Sequence, residues 1–315
     1  MDVSVILVNY NTADLLPRAI GALFDASAGL NVQTIIVDNA SRDGSVESIR
    51  RNFPDCSLIV NTTNVGFGRA NNQALSLATG RYVLLLNTDA FVSKDSLLKT
   101  ICYMDLHPGC GILGARLTGE DGAMQPSARH FPTPWRRFVT RAGLGKPFEN
   151  ARFAENLDGD PDSIRHCDWV PGCYFLVRRK VIDQVGLFDP RYFLYYEEVD
   201  LCLAAKKAGW VVVCFFGTTV IHIGGESAKS DSAITASGRQ IETLQIESEL
   251  LFFRKNSGLV GVLLNVVLTF FADAIIVTKR VLKWNTPLGI AMLFSHSTLV
   301  WSLFRRTRFG TQPTR

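Results

Sequence analysis

The stretch Tyr82-Val-Leu-Leu-Leu-Asn87-Thr-Asp89 decides the fold, because a run of apolar residues ends abruptly in polar ones. A short apolar run bounded by polar turn residues is typical of a strand buried on both faces of a sheet. Outward from it, similar runs at Val3–Val8, Thr34–Val37 and Leu58–Val60 each precede a segment with helical features. Short strands that alternate with helices predict an α/β fold with a mainly parallel sheet flanked by helices.

The predicted helices cover Thr12–Phe24 and begin again near Asp43, Gly68 and Lys94. From Gly119 to about Cys167, repeated prolines and mixed charges predict a loop or a mobile lid rather than a second core. Beyond this segment, strands are predicted near Val211–Phe216 and Thr219–Ile221, the second of which ends at His222. An amphipathic helix is predicted over residues 240–255.

Composition excludes several classes of protein. The chain has 315 residues, 47% of them hydrophobic and 20% charged, which excludes a disordered chain, a collagen-like repeat and a small disulfide scaffold. The seven cysteines are scattered without a Cys-x-x-Cys pair, so we expect free thiols rather than a zinc ribbon or a disulfide framework. The glycines at Gly66 and Gly68 are followed by Asn71 where a dinucleotide fingerprint needs glycine, which disfavours a Rossmann dehydrogenase.

The charge is unevenly distributed. Net charge is +4, yet all seven charged residues after Asp273 are Lys or Arg. A basic, apolar tail on a mildly acidic body fits binding to a membrane surface. A protein that binds nucleic acid would instead present its basic residues along a folded groove. We therefore expect no nucleic-acid partner.

The tail contains two apolar stretches, about 257–278 and 286–304. The first is long enough to span a bilayer, and the second is just long enough. Asn265, Thr269 and Asp273 fall at four-residue steps, which predicts one polar stripe and favours a helix lying in the membrane interface. A hairpin of two spanning helices stays open as an alternative. That arrangement would place the basic residues after 278 outside the cell, against the positive-inside rule.

Polar segments follow each of the four N-terminal strands, and in a parallel sheet ligands bind beyond these carboxyl ends. The segments are Asn9-Tyr10-Asn11, Asp38-Asn39-Ala40-Ser41, Asn64-Val-Gly66-Phe-Gly68-Arg69 and Asn87-Thr88-Asp89. Taken singly, Asp38 and Asp89 are also explained as turn or cap residues. The acids in Glu197-Glu198-Val-Asp200 are also explained as the charged residues of a first helical turn. His222 is also explained as a histidine that makes a structural hydrogen bond.

In their order along residues 2–255, however, these motifs resemble a family 2 glycosyltransferase of the GT-A fold, most similar to the bacterial rhamnosyltransferase-like group. The motifs are the four segments above together with Trp169-Val-Pro-Gly172, Phe188-Asp189 and Glu197-Glu198-Val-Asp200-Leu201. The resemblance implies a glycosyltransferase domain over 1–255 and a membrane-associated helical tail over 256–315. Within the domain it implies a nucleotide-binding half at about 1–116 and an acceptor half at about 165–255.

The resemblance also implies roles for individual residues. Nucleotide contacts would come from Asn9, Tyr10, Asn11, Asp38, Asn64, Gly66, Arg69 and Asn87. Asp89 and His222 would hold Mg²⁺ or Mn²⁺, Glu198 or Glu197 would be the catalytic base, and Trp169, Gly172 and Asp200 would shape the acceptor side. Two positions depart from the family pattern, since Asn87 replaces the first Asp of the metal motif and Glu198 stands where Asp is usual.

The implied reaction is a metal-dependent, inverting transfer from a nucleotide-sugar donor, with dTDP-rhamnose favoured and UDP-sugars second. The acceptor would be a lipid-linked glycan built for the cell envelope. Because the first residues do not read as a signal peptide, we expect the catalytic body at the cytoplasmic face of the bacterial inner membrane. A sugar nucleotidyltransferase and a noncatalytic membrane-associated scaffold that binds nucleotide-sugar remain as alternatives.

Overall fold

A computed structural model describes residues 1–144, 164–224, 239–284 and 295–315, with side chains throughout except at 280–284. The chain divides into two compact units. The sheet unit comprises Met1–Arg129 and Asp158–Ile234, and the helical unit comprises His130–Leu157 and Thr235–Arg315. The predicted functional division at residue 255 stays a prediction, while the helical unit takes in residues on both sides of that position.

The sheet unit alternates strands and helices in its first half, as predicted. In chain order its elements are β1 Val3–Asn9, α1 Leu16–Ala26, β2 Val32–Asp38, α2 Ser45–Asn52, β3 Ser57–Val60, α3 Phe67–Leu75, β4 Tyr82–Asn87, β5 Ala90–Val92, α4 Ser96–Leu106, β6 Cys110–Thr118 and β7 Met124–Gln125. Within the described residues, β8 Ile164–His166, β9 Tyr174–Arg178, α6 Arg179–Val185, α7 Glu197–Lys207 and β10 Val211–His222 follow. The helical unit contains α5 Pro134–Arg141, α8 Gln240–Trp284 and α9 Ser295–Arg306.

The strands form one mixed sheet in the order β3-β2-β1-β4-β9-β6-β10-β5, with β7 beside β6 and β8 beside β10. The four N-terminal strands pair in parallel, so their carboxyl ends meet at one edge. β9 runs antiparallel between β4 and β6 and joins this half to the rest of the sheet. The predicted α/β fold with a mainly parallel sheet in its nucleotide half is confirmed.

Apolar strand residues explain where the core lies. All seven residues of β1 are buried, and α1 buries Leu16, Ile20 and Leu23 fully against the sheet. Strands buried on both faces need continuous apolar runs, which is the pattern that predicted them. All seven cysteines are free, as expected.

Three features of the sheet and its connections differ from expectation. No strand is predicted from the sequence over the residues of β6, although β6 lies between β9 and β10 in the sheet. The two strands expected near 211–216 and 219–221 are one strand, β10, with a register shift against β6 between Phe215 and Thr219. The expected loop over 119–167 contains a helix, α5, whose first turn is capped when the Thr133 side chain accepts from the Arg136 amide. The remainder of the predicted lid, 145–163, lies outside the described residues.

In the helical unit, α8 is interrupted at Gly258, whose positive φ of 67° lies outside helical geometry. Residues Gln240–Lys279 form a helix long and apolar enough to cross a membrane by length and composition. The predicted apolar stretch 286–304 is described only from Ser295, where α9 begins.

The polar stripe on α8 faces the inside of the helical unit and not an aqueous surface. Asn265 and Asp273 are each 2% exposed, and Thr269 is buried as well. Asn265 donates to Glu249, and Asp273 pairs with Arg141. The protein itself covers the stripe, and the choice between an interfacial helix and a spanning hairpin stays a prediction. Exposed on the outside are apolar side chains, namely Leu259, Val260, Leu263, Leu264, Val267, Phe270 and Phe271.

Candidate active site

The register between β5 and β10 brings Asp89 and His222 together. β5 lies antiparallel to β10, with Ala90 opposite His222, so the residue that precedes β5 lies beside the end of β10. The Ile223 amide donates to the Asp89 carbonyl, which fixes this end of the pairing. His222 Nε2 lies 3.6 Å from Asp89 Oδ1, and both side chains are largely buried. Two predicted metal ligands 133 residues apart in the chain thus become neighbours.

Asn87 lies at the same edge, where its backbone amide donates to the Cys173 carbonyl. Its side-chain Oδ1 is buried and has no hydrogen-bond partner among the described residues. Buried polar atoms in native proteins are almost always satisfied by protein, water or ligand. The orphaned amide oxygen next to Asp89 therefore fits a ligand-binding role.

The first two polar segments form one hydrogen-bonded network. Asn9 donates to Asp38 Oδ2 at 2.7 Å, and the Ser41 amide donates to Asp38 Oδ1 at 2.9 Å. Ser41 Oγ also accepts from the Asn11 amide. Asn9 and Asp38 are fully buried, so these side chains organise the loops from within. Tyr10, between them in sequence, is only partly buried.

The third segment is tied to the second by a chain of amide side chains. Asn39 donates to Asn64 Oδ1 at 2.8 Å and accepts from the Val65 amide at 3.0 Å. Asn64 Oδ1 also accepts from the Gly66 amide. The loops after β2 and β3 are thereby held as one rim along the carboxyl edge of the sheet.

That rim is also joined to the segment that carries the acidic pair. Gly66 has a φ of +90°, and a Cβ there would lie 2.5 Å from the Phe193 carbonyl oxygen. The next amide, that of Phe67, donates to the same carbonyl. Arg69 Nε donates to the Pro190 carbonyl at 2.8 Å. A glycine is required at Gly66 because the backbone conformation and the close approach both exclude a side chain.

The acidic pair, Glu197 and Glu198, begins α7 and follows two residues in the left-handed backbone conformation. Tyr195 and Tyr196, just before it, both have left-handed φ values of 73° and 71°. Such conformations cost of the order of 1–3 kcal/mol each for non-glycine residues and cluster at functional sites. Glu197 is buried, Glu198 is partly exposed, and one carboxylate oxygen of each is buried without a hydrogen-bond partner among the described residues.

Burial raises the pKa of both glutamates. Burial raises the pKa of Glu198 to about 6, although backbone hydrogen bonds and the charge of Arg129 oppose the shift. The pKa of Glu197 is also raised well above its usual value of 4.5, first by burial and then by the neighbouring Glu198 charge. Ionisation of either carboxyl group therefore opposes ionisation of the other.

Asp89 and the Glu197–Glu198 pair act on the same side chains. Burial raises the pKa of the Tyr195 phenol to about 12, and the charges of Glu197, Glu198 and Asp89 contribute in that order. The pKa of the Cys173 thiol is likewise raised, first by burial and then by Asp89, with Glu198 a smaller contributor. Charges between β4 and β5 and at the start of α7 thus influence the same two side chains.

The predicted acceptor residues lie in three different settings. Trp169 is partly buried, with the Arg129 guanidinium carbon 5.1 Å from its ring centroid. Gly172 lies against the acidic pair, because a Cβ there would be 3.9 Å from Glu198 Cβ. Asp200 is buried and raises the pKa of Tyr192, after burial itself, which places it beneath the site rather than on its surface.

The residues present fit a divalent cation. No cluster of three or more His, Cys, Asp and Glu side chains occurs in the part of the chain that the structure describes. A site of one carboxylate and one imidazole, completed by substrate phosphates and water, is nonetheless the partial set that Mg²⁺ and Mn²⁺ use with nucleotide substrates. Asp89, His222 and the orphaned oxygen of Asn87 supply that set.

Several residues of the site were not singled out from the sequence. Asn39 and Ser41 lie in a segment that was recognised, but their hydrogen bonds to other loops depend on pairing between strands. Gln125 contacts His222 and Arg129 lies near Glu198, yet both fall in the segment expected to be a loop. A glutamine after a glycine-rich turn carries no chemical signature by itself.

Comparison with known proteins identifies the family. The family model described as Glycosyl transferase family 2 matches residues 4–186. The chain belongs to glycosyl transferase family 2. An N-acetylglucosaminyl-diphospho-decaprenol L-rhamnosyltransferase of Mycobacterium tuberculosis is 30% identical over 245 residues, 73% of this chain and 78% of that protein. Rhamnosyltransferase WbbL of Escherichia coli K12 is 30% identical over 152 residues, 46% of this chain and 55% of that protein.

Solved structures show that this family 2 glycosyltransferase has the predicted fold. A mannosyltransferase from Pyrobaculum calidifontis, in complex with GDP-Man and Mn²⁺, superposes with a TM-score of 0.56 at 16% identity, over 98% of this chain and 86% of that one. GalNAc-T7 with UDP, GalNAc and Mn²⁺ gives a TM-score of 0.56 at 12% identity. The match covers 81% of this chain and about half, 48%, of GalNAc-T7.

Proposed function

We propose that this family 2 glycosyltransferase transfers a sugar, with rhamnose favoured, from a nucleoside-diphosphate donor to a lipid-linked glycan, with inversion at the anomeric carbon. One observation carries the proposal: a Cβ at Gly172 would lie 3.9 Å from Glu198 Cβ, and the next residue, Cys173, accepts from the Asn87 amide. The proposed metal-binding carboxylate, two residues after Asn87, and a carboxylate with a raised pKa thereby lie on either side of one short segment. That is the minimum equipment for releasing a diphosphate and deprotonating a hydroxyl in one step.

Glu198 is the proposed base. With a pKa of about 6 it is ionised at neutral pH, yet it is basic enough to accept a proton from an acceptor hydroxyl as that oxygen attacks. Glu197 is the more deeply buried of the two, and burial and the neighbouring charge raise its pKa. We infer that Glu198, whose side chain is partly exposed beside Gly172, is the base of the two candidates that the sequence left open.

In the proposed reaction, the acceptor oxygen forms a bond to the anomeric carbon while the bond from that carbon to the diphosphate oxygen breaks. The hydroxyl proton passes to Glu198, and the bonding electrons leave with the nucleoside diphosphate. A single displacement inverts the anomeric configuration. A retaining route by double displacement would require a nucleophile on the enzyme, and the family resemblance disfavours it.

Asp89 and His222 are the proposed metal ligands, with Asn87 nearby. Mg²⁺ or Mn²⁺ held there supplies Lewis-acid stabilisation of the negative charge on the leaving diphosphate. The chain's own part is to hold Asp89 and His222 side by side at the edge where the phosphates would arrive. The Mn²⁺ in the mannosyltransferase and GalNAc-T7 structures supports this assignment.

The rim built from the first three polar segments is the proposed nucleotide site. Because Asn9 and Asp38 are fully buried and bonded to neighbouring loops, we infer that they shape the rim and present Tyr10 and Asn11 to the base and ribose. Asn64, Gly66 and Arg69 would border the same nucleotide. A dTDP-sugar is favoured and a UDP-sugar is second.

The lipid acceptor and the membrane location rest on the helical unit and on a relative. The outer side of α8 exposes apolar residues, with Val260 78% and Phe271 61% exposed, whereas its polar residues are turned inward. Such a face suits lipid chains better than water. The Mycobacterium tuberculosis relative is an N-acetylglucosaminyl-diphospho-decaprenol L-rhamnosyltransferase, which supports a polyprenol-linked acceptor here. We propose that the protein acts at the cytoplasmic face of the bacterial inner membrane, with α8 and α9 embedded in or across it.

The test is release of nucleoside diphosphate by the purified full chain. The donors are dTDP-rhamnose and a panel of UDP- and GDP-sugars, each with Mn²⁺, Mg²⁺ or EDTA, and with or without bacterial lipid extract. The proposal predicts release from dTDP-rhamnose that needs a metal, increases with lipid and yields a lipid-linked sugar detectable by mass spectrometry. Release from another donor alone would overturn the rhamnose assignment, and undiminished release in EDTA would overturn the metal assignment.

A further inference from the structure

A glutamine side chain contacts one ring nitrogen of His222, and Asp89 lies beside the other. Gln125 Nε2 donates to the backbone carbonyl of His222 at 2.8 Å, and Gln125 Oε1 lies 3.1 Å from His222 Nδ1. Across the ring, Nε2 is the atom that lies 3.6 Å from Asp89 Oδ1. His222 is therefore held between a carboxylate on one side and a primary amide on the other.

The orientation of the amide decides which ring nitrogen carries the proton. The backbone carbonyl of His222 can only accept, so the group that faces it must be the NH₂ of Gln125. The amide oxygen is then the atom that faces Nδ1, and it too can only accept. For the 3.1 Å contact to be a hydrogen bond, Nδ1 must carry hydrogen. In a neutral imidazole this leaves the lone pair on Nε2, the nitrogen that faces Asp89.

The glutamine is itself fixed by the sheet. Gln125 forms β7 with Met124 and pairs with Leu117 of β6, the strand that lies parallel to β10. Ser127 Oγ donates to the Gln125 carbonyl and accepts from the Leu117 amide, which closes this short pairing. The amide consequently has little freedom to turn, and its two hydrogen bonds are directed by backbone rather than by a flexible loop.

We propose that Gln125 is a positioning residue that holds the neutral His222 ring in its Nδ1–H tautomer and thereby presents the Nε2 lone pair to a divalent cation bound by Asp89. This inference rests on the proposed metal site. Groups that accept from the distal nitrogen of a ligating histidine orient it and raise its basicity, and their loss typically weakens metal binding by about 10–100-fold.

The test measures the tautomer and the metal separately. The tautomer is measured on metal-free, histidine-¹⁵N-labelled full-length protein by long-range ¹H–¹⁵N NMR at about pH 8, above the ordinary histidine pKa. His222→Ala identifies the signals. Metal affinity is measured as Mn²⁺ binding in the presence of dTDP, from the EPR signal of free Mn²⁺. Neither measurement depends on turnover.

The informative variants are Gln125→Met, which keeps the length of the side chain and removes both hydrogen bonds, and Gln125→Glu, which keeps an acceptor for Nδ1–H. Gln33→Met is the matched control, because the Gln33 side chain also donates to a backbone carbonyl, that of Leu77, and accepts from Ser4. Gln33 lies near the start of β2, away from the site. We expect Gln125→Met to lose the Nδ1–H tautomer and to weaken Mn²⁺ binding by about tenfold. Gln125→Glu and Gln33→Met should keep the wild-type tautomer and remain close to wild type in affinity.

An Nε2–H ring in the wild type, or an unchanged tautomer and affinity in Gln125→Met, would overturn the inference. Asp89→Asn separates this failure from failure of the metal site. If Asp89→Asn binds Mn²⁺ as the wild type does, the proposed metal site is wrong, while the tautomer of the metal-free protein still decides the role of Gln125. If Asp89→Asn loses Mn²⁺ and Gln125→Met does not, only the role of Gln125 is wrong.

Discussion

The sheet unit and the helical unit both bury acidic side chains, but they treat them in opposite ways. In the helical unit, Asp273 is bonded to Arg141, His296 and Ser297, and Glu249 pairs with Arg137 at 2.8 Å. In the sheet unit, Glu197 and Glu198 each keep a buried carboxylate oxygen with no partner among the described residues.

The difference separates structural from chemical use of a buried charge. A buried acid with a cation and hydrogen bonds has its charge compensated, and its role is completed by folding. A buried acid that leaves one oxygen unbonded keeps a raised pKa, as Glu198 does at about 6 in spite of backbone hydrogen bonds and the charge of Arg129, and is poised to exchange a proton. Buried acids with a complete set of partners thus support the fold, whereas buried acids with an unbonded oxygen are the candidates for proton transfer.

The sharpest way to test the comparison is Glu198→Gln. The amide has nearly the same shape but cannot accept the acceptor proton, so kcat should fall by about 10²–10⁴-fold. Binding of dTDP, measured by calorimetry, should stay at the wild-type value because the nucleotide rim is untouched. Glu197→Gln is the matched control and should retain most of the rate. If the two variants exchange behaviour, Glu197 is the base.

The opposite result is expected in the helical unit. Asp273→Leu leaves Arg141 without its partner, and since that guanidinium is about one-third exposed we expect a loss of about 2–3 kcal/mol in stability. Thermal unfolding in detergent measures it, and kcat below the transition should not change. The double variant Asp273→Leu/Arg141→Met should recover much of the loss. A kcat that falls with Asp273→Leu while the fold is intact would break the comparison.

A charge next to the uncompensated pair offers a finer test. Arg129 lowers the pKa of Glu198 against the effect of burial, so Arg129→Gln should move the acidic limb of kcat/KM above pH 6 and spare the rate well above it. Arg129→Lys keeps the charge but not the planar group over Trp169, and should keep the limb in place. An unmoved limb in Arg129→Gln would mean that its charge does not reach Glu198.

The smallest expected effect is on stability at the sheet unit. Because the folded-state pKa of Glu197 is raised, its stabilising contribution is present below its unfolded value of 4.5 and is lost as pH rises through the folded pKa. Glu197→Gln stays neutral, so the difference in Tm between the variant and the wild type should grow in favour of the variant as pH rises from about 5 through the neutral range. A constant difference over that range would argue that Glu197 is not a buried, protonated acid.

The sequence could predict the parallel half of the sheet because each of its strands has a recognisable local sequence pattern. β1 to β4 appear as apolar runs followed by polar turns, and all four were found within two residues. β6 was missed, since its run contains two glycines and an arginine, and its place is set by pairing with β9 and β10. α5 was missed because prolines at a helix start look like loop residues until the cap at Thr133 is seen.

The site was predictable as a set of residues and not as a geometry. Asp89 and Glu198 stand at strand and helix ends that the sequence reveals, whereas the contact of His222 with Asp89 depends on the register of β5 with β10. The left-handed backbone at Tyr195 and Tyr196 has no local signature in two aromatic residues. The stripe on α8 shows that a polar face exists, but the partners that cover it, Glu249 and Arg141, are distant in sequence.

The most direct test of the account is the pH dependence of kcat/KM for sugar transfer, measured on the wild type and on Glu197→Gln. The account predicts that kcat/KM rises tenfold per pH unit in acid and levels off near pH 6, the pKa of Glu198, and that Glu197→Gln keeps this limb. A profile that is flat between about pH 5 and 8, or a limb that disappears with Glu197→Gln, would contradict the claim that the uncompensated Glu198 carboxylate is the base.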